Sequence, residues 1–133
     1  MPKKRKRITV SMEDYIEAIY LLCSKDGHTR VKDIAKRLRV KASSVSEILG
    51  KLKQENLIEH EKYGLITLTE KGRKVAEEIY HKHQVLLSFL VEVLGVDPKV
   101  AEMDACAMEH SISPQTLEKL VSFIEKLKRS GSG

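Results

Sequence analysis

The chain has 133 residues with 24 Lys+Arg, 19 Asp+Glu and two cysteines, giving a net charge of +5. That length suits one domain, or a small domain with a helical extension, and argues against a multidomain enzyme. Two thiols exclude a disulfide scaffold, and no stretch reaches the roughly 20 continuous apolar residues of a membrane span. The longest apolar run, Val85 to Gly95, is broken by Ser88 and Glu92. The first residues are charged with no apolar segment behind them, so a cytoplasmic protein without a secretory signal is expected.

Charge is unevenly placed. Residues 3 to 7 (Lys3, Lys4, Arg5, Lys6, Arg7) are five consecutive cations, and the blocks 3–7, 8–27, 28–75 and 76–133 carry +5, −3, +6 and −3.

After this basic arm (1–10), Ser11 followed by Glu13-Asp14 predicts a helix start, with a capping hydroxyl and acids in the first turn. Tyr15, Ile16, Ile19, Tyr20 and Leu22 recur at helical spacing up to Gly27. Arg30 to Leu38 predicts a short amphipathic helix, and Ser43-Ser44 is expected to open a third, with Val45, Ile48, Leu49 and Leu52 on one side. After Asn56 the period changes from helical to alternating: Leu57 to Lys62 and Leu65 to Thr69 predict a hairpin turning at Tyr63-Gly64. A long helix follows from Thr69, its apolar positions Val75, Ala76, Ile79, Tyr80, Val85, Leu86, Phe89, Leu90 and Val93 persisting to Gly95. Asp97-Pro98 and Ser113-Pro114 cap two further helices, to about His110 and Lys128. Residues 130–133, Ser-Gly-Ser-Gly, are expected to be a disordered tail.

The fold class is therefore mainly α: a winged helix-turn-helix with a small β-hairpin wing over 11–75, and a helical region over 76–129. In such a unit the third helix fits the major groove, its N-terminal residues facing base edges. Ser43, Ser44 and Ser46 are small donors and acceptors there. Lys41, Lys51 and Lys62 at the hairpin tip are candidate phosphate anchors, as are Lys3, Lys4 and Arg5 of the arm. Serines at a helix start are also ordinary caps, and lysines also cover solvated faces. It is the +6 block on a helix-turn-helix pattern that favours DNA.

The acidic blocks hold a second constellation. Asp14 and Glu17 share a face of the first helix. Glu102, Cys106, Glu109 and His110 form one stripe on the helix after Pro98. Of His81 and His83, only one can face the same way, because residues two apart point about 200° apart on a helix. Buried carboxylates are disfavoured unless a cation holds them. Carboxylate, imidazole and one thiolate suit Mn²⁺ or Fe²⁺, and also Zn²⁺, Co²⁺ or Ni²⁺ in vitro.

Several strings together resemble the diphtheria toxin repressor family of metal-dependent transcriptional repressors, most closely its short manganese-regulator branch. They are Ser11-Met-Glu-Asp-Tyr-Ile-Glu-Ala-Ile-Tyr20, Val31-Lys-Asp-Ile-Ala35 leading into Ser43-Ser-Val-Ser46, Leu65-Ile-Thr-Leu-Thr-Glu-Lys-Gly72, His81-Lys-His83 and Cys106-Ala-Met-Glu-His110. The resemblance covers residues 11 to about 128. It implies a homodimer bound to a double-stranded operator. It also implies a ligand set of Asp14, Glu17, His83, Glu102, Cys106, Glu109 and His110. Asp14 and Glu17 match the acidic pair of the manganese branch, Cys106 matches the iron branch, and Glu109 and His110 match both. Glu102 falls where the iron branch has a second-site histidine. Leu87 stands where the family usually has an acid, and Glu47 departs from the iron branch's recognition-helix amide.

The expected function is a metal-sensing repressor of metal-uptake genes, with no enzymatic activity. A thiol-redox or metal-independent winged-helix regulator, with Cys106 as the sensing thiol, is the alternative. A small metal-dependent hydrolase is disfavoured, because protein ligands would nearly fill the coordination sphere and no separate base or phosphate-binding loop is visible.

Overall fold

Ile16, Ile19, Ile34, Val45, Leu49 and Leu52, which the helical spacing sets on inward faces, are all buried. The computed structural model describes residues 10–61 and 64–131. Along them run helix α1 (Val10–Asp26), α2 (Val31–Leu38), α3 (Ala42–Gln54), strands β1 (Ile58–His60) and β2 (Ile66–Leu68), α4 (Glu70–Ser88), α5 (Pro98–Ser111) and α6 (Pro114–Gly131). β1 and β2 pair antiparallel with Glu59 opposite Thr67. Thr29 adds a single bridge to Ile66, its N–H donating to Ile66 O at 2.9 Å and its carbonyl accepting from Ile66 N at 2.8 Å. This is a winged helix-turn-helix followed by helices. Among the described residues no helix is long and apolar enough to cross a membrane.

The chain divides into two units at Ile79/Tyr80. The first closes over a core in which α1, α2 and α3 contribute Ile16, Ile19, Ile34, Val45, Leu49 and Leu52, and the hairpin contributes Leu57, Ile58 and Ile66. The second has its own core of Val85, Leu86, Leu90, Ala101, Ala105, Leu117, Val121 and Ile124.

The base of the hairpin is closed by three consecutive carbonyls. Glu55 O accepts from Lys71 Nζ at 3.0 Å, Asn56 O from Thr69 Oγ1 at 2.8 Å, and Leu57 O from Thr69 N at 3.0 Å. Thr69 Oγ1 also accepts from Gly72 N at 2.9 Å, capping α4. The approach requires glycine at 72, where a Cβ would stand 1.9 Å from Leu57 O.

Four local expectations need correction. Ser11 lies inside α1, which already includes Val10. The N-cap of α3 is Lys41, with no side-chain cap bond, so Ser43 and Ser44 are helical residues and not caps. The long helix does not run on to Gly95 as an α-helix. A π-helical turn over Phe89–Val93 follows α4, with Leu94 N donating to Phe89 O five residues back. A π turn holds more residues than an α turn and shifts the helical phase. Val93, expected on the apolar face, is thereby 51% exposed. Finally, Ser130 and Gly131 belong to α6 and not to a disordered tail. Asp97 and Ser113 do cap as expected, accepting from Lys99 N and Thr116 N at 3.1 Å each.

Candidate metal centre and nucleic-acid interface

In the first unit the helix-turn-helix presents a basic, polar surface. Lys41, Ser43, Ser44, Ser46 and Lys51 are all exposed on or beside α3. Val45, Leu49 and Leu52 bury the opposite face. Lys3, Lys4, Arg5 and Lys62 lie outside the described residues. Glu47 is exposed on α3 near the phenol of Tyr15 on α1; burial first, and the Glu47 charge second, push that phenol above its usual range. Asp14 and Glu17 are half-buried on α1, one turn apart.

In the second unit, α4 and α5 bring candidate ligands together. His83 and Glu109 are nearly inaccessible, with side chains 5% and 6% exposed, and are hydrogen-bonded through His83 Nδ1. His83 Nε2 lies 2.8 Å from Glu102 Oε2, whose side chain is 60% exposed. One ring thus has a buried carboxylate on one nitrogen and a solvent-facing carboxylate on the other. On the same stripe of α5, Cys106 Sγ and a ring nitrogen of His110 lie within 4.8 Å of each other. His81 points elsewhere: it is exposed, and its Nε2 pairs with Glu125 Oε2 of α6 at 2.7 Å. Of the two histidines, His83 is the one that meets the acids of α5. The His81–Glu125 pair has no signal in the sequence, since only the packing of α6 reveals the acid. Leu87 packs against the apolar core of this unit, so that position contributes no donor.

The donors fit a first-row divalent ion. The imidazole of His83 with the carboxylates of Glu102 and Glu109, and the thiol of Cys106 with the imidazole of His110, are of the types that such ions accept. The other cysteine, Cys23, lies on α1 in the first unit. Its thiol contacts Ile66 O at 3.7 Å, and burial raises its pKa, the opposite of a reactive thiolate.

A winged helix-turn-helix in one unit and candidate metal ligands in the next are the parts of a metal-responsive DNA-binding regulator. The model of the iron dependent repressor N-terminal DNA binding domain matches residues 7–66, and that of the iron dependent repressor metal binding and dimerisation domain matches residues 69–133. The chain is similar to an uncharacterized HTH-type transcriptional regulator of Methanocaldococcus jannaschii, at 42% identity over 119 residues, which is 89% of this chain and 95% of that one. Among solved structures it resembles the manganese regulator SloR, at 33% identity and a TM-score of 0.71 over 86% of this chain and 53% of the other. It also resembles ScaR with bound Zn²⁺, at 30% identity and a TM-score of 0.70 over 86% and 53%. The chain spans about half the length of these two solved relatives. It belongs to the iron-dependent repressor family of metal-dependent transcriptional regulators.

Proposed function

We propose that the chain acts in the cytoplasm as a homodimeric, metal-activated repressor of metal-uptake genes, with Mn²⁺ or Fe²⁺ as effector and double-stranded operator DNA as target. The observation that carries this reading is the buried His83–Glu109 pair with Glu102, on the unit that follows a winged helix-turn-helix. The proposed ligands are His83, Glu102, Cys106, Glu109 and His110 from the second unit, joined, on the family resemblance, by Asp14 and Glu17 of α1. The proposed DNA contacts are Lys41, Ser43, Ser44, Ser46 and Lys51, with Lys62, Lys3, Lys4 and Arg5 assigned from sequence.

The ion, when bound, supplies the positive charge that clustered carboxylates need. Everything else is done by the chain. Ligands drawn from α1, α4 and α5 tie occupancy of the site to one arrangement of those helices. If that arrangement is the one that binds DNA, the two affinities rise together by the same factor. The acids at 14 and 17 favour a hard ion and Cys106 a softer one. We favour manganese on the two acids, a choice supported by the likeness to a manganese regulator.

The test is anaerobic binding of a duplex, selected by the protein from a randomised library, across a metal series and in chelator. Tight binding only with Mn²⁺ or Fe²⁺ is expected; equal affinity in chelator sinks the reading. Cys106→Glu and Asp14→Met in parallel show which ligand sets the choice of metal.

A further inference from the structure

Two glycine choices beside the recognition helix are the reverse of what local backbone preference selects. Arg39, which ends α2, has φ 58 and ψ 48. This left-handed region disfavours any residue with a Cβ, and glycine is its ordinary occupant at a helix end. The chain follows that preference more closely after α3, where φ 63 falls to Asn56, asparagine being among the best-tolerated non-glycine residues there. Arg39 is exposed, and among the described residues its guanidinium makes no hydrogen bond or ion pair.

Gly50 is the converse. It lies inside α3, where alanine is the better helix former, and a Cβ built on it meets nothing within 4 Å. Gly72, near the start of α4, has an evident reason within the chain, the Leu57 carbonyl at 1.9 Å from its would-be Cβ. Gly50 has none. At about 100° per residue it falls opposite the buried Leu49–Leu52 face, between Ser43, Glu47 and Gln54. That is the face a helix-turn-helix turns toward the groove.

Resting on the DNA-binding reading above, we propose that these two residues set how the duplex seats on α3. The Arg39 guanidinium is a phosphate anchor at the turn into the helix. Gly50 is the point of closest approach, where the missing side chain lets α3 sit deeper against the base edges. Guanidinium presents a planar fork of donors to phosphate oxygens, and groove contacts require the helix to approach within hydrogen-bond reach of the bases.

The signature is a pair of substitutions that improve the fold and weaken binding. The 133-residue wild type, Arg39→Gly, Arg39→Lys, Gly50→Ala and Gly50→Gln are compared by thermal unfolding and by titration of the duplex that wild type selects from a randomised library with Mn²⁺ present. Arg39→Gly is expected to melt no lower than wild type, to bind more weakly, and to lower the slope of log K against log salt by about 0.9, while Arg39→Lys keeps the slope. Gly50→Ala is expected to melt about 2–4 °C higher yet bind more weakly, and Gly50→Gln to lose at least about tenfold in Kd, the equivalent of one lost groove contact. Unchanged Kd in Arg39→Gly or Gly50→Gln overturns the inference. So does a lower melting temperature in Gly50→Ala, which would give that glycine a role within the chain. Failure of wild type to select any duplex overturns the DNA-binding reading itself.

Discussion

The imidazole of His83, on α4, is hydrogen-bonded to the carboxylate of Glu109, on α5, with both side chains almost sealed from solvent at 5% and 6% exposure. Glu102 meets the other ring nitrogen from a position 60% exposed. The two acids should therefore differ sharply in weight. Glu109→Gln is expected to weaken Mn²⁺ affinity by at least about 100-fold, more than loss of an outer-shell partner costs, and Glu102→Gln by about tenfold or less. Isothermal titration of the two variants checks this, and equal losses would contradict it.

Gly72 is fixed by the carbonyl of Leu57. Gly72→Ala forces backbone apart at the start of α4 and is expected to destabilise the fold by about 1–3 kcal/mol, as overpacking does. A urea midpoint equal to that of wild type would show that the approach is not held.

On the DNA-facing side, Lys41 and Lys51 are exposed cations beside and on α3. Lys41→Ala and Lys51→Ala are each expected to lower the slope of log K against log salt by about 0.9, with little change in which sequence is preferred. Anisotropy titrations between low and moderate salt read that slope directly.

Burial raises the pKa of Cys23 above its usual value of 9.0. The folded chain then holds this proton to higher pH than the unfolded chain does. Its contribution to stability is complete below about pH 9 and is lost as pH rises through the folded value. Cys23→Ala should flatten the fall in urea midpoint between pH 8 and pH 10. In the native chain at pH 8, alkylation of this thiol is expected to be slower than that of free cysteine, which mass spectrometry of the modified peptide measures.

Much of this architecture was legible because periodicity reports which face is buried. The apolar spacing of α1 to α3, the change to alternation after Asn56 and the caps at Asp97 and Ser113 each reflect a local constraint that the chain cannot evade. What escaped was non-local or a matter of phase. The π turn after Ser88 moves Val93 off the apolar face, and no residue type announces it. Thr29 joins the sheet through one bridge to Ile66, too short to carry a pattern. At the candidate metal centre, spacing alone placed Glu102, Cys106, Glu109 and His110 on one stripe. The choice between His81 and His83 required the packing of α4 against α5 and α6, which gave one histidine to Glu109 and the other to Glu125.

The three carbonyls of Glu55, Asn56 and Leu57, all taken by Thr69 and Lys71, carry a consequence for how such a protein diverges. They join the end of α3 to the start of α4 without help from the hairpin tip. Residues between His60 and Ile66 can be lengthened, shortened or exchanged while the recognition helix stays anchored, since extending a closed loop adds little entropy. The wing is in that sense a replaceable cassette, free to adapt to the shape of a new operator while the helix beneath it keeps its seat.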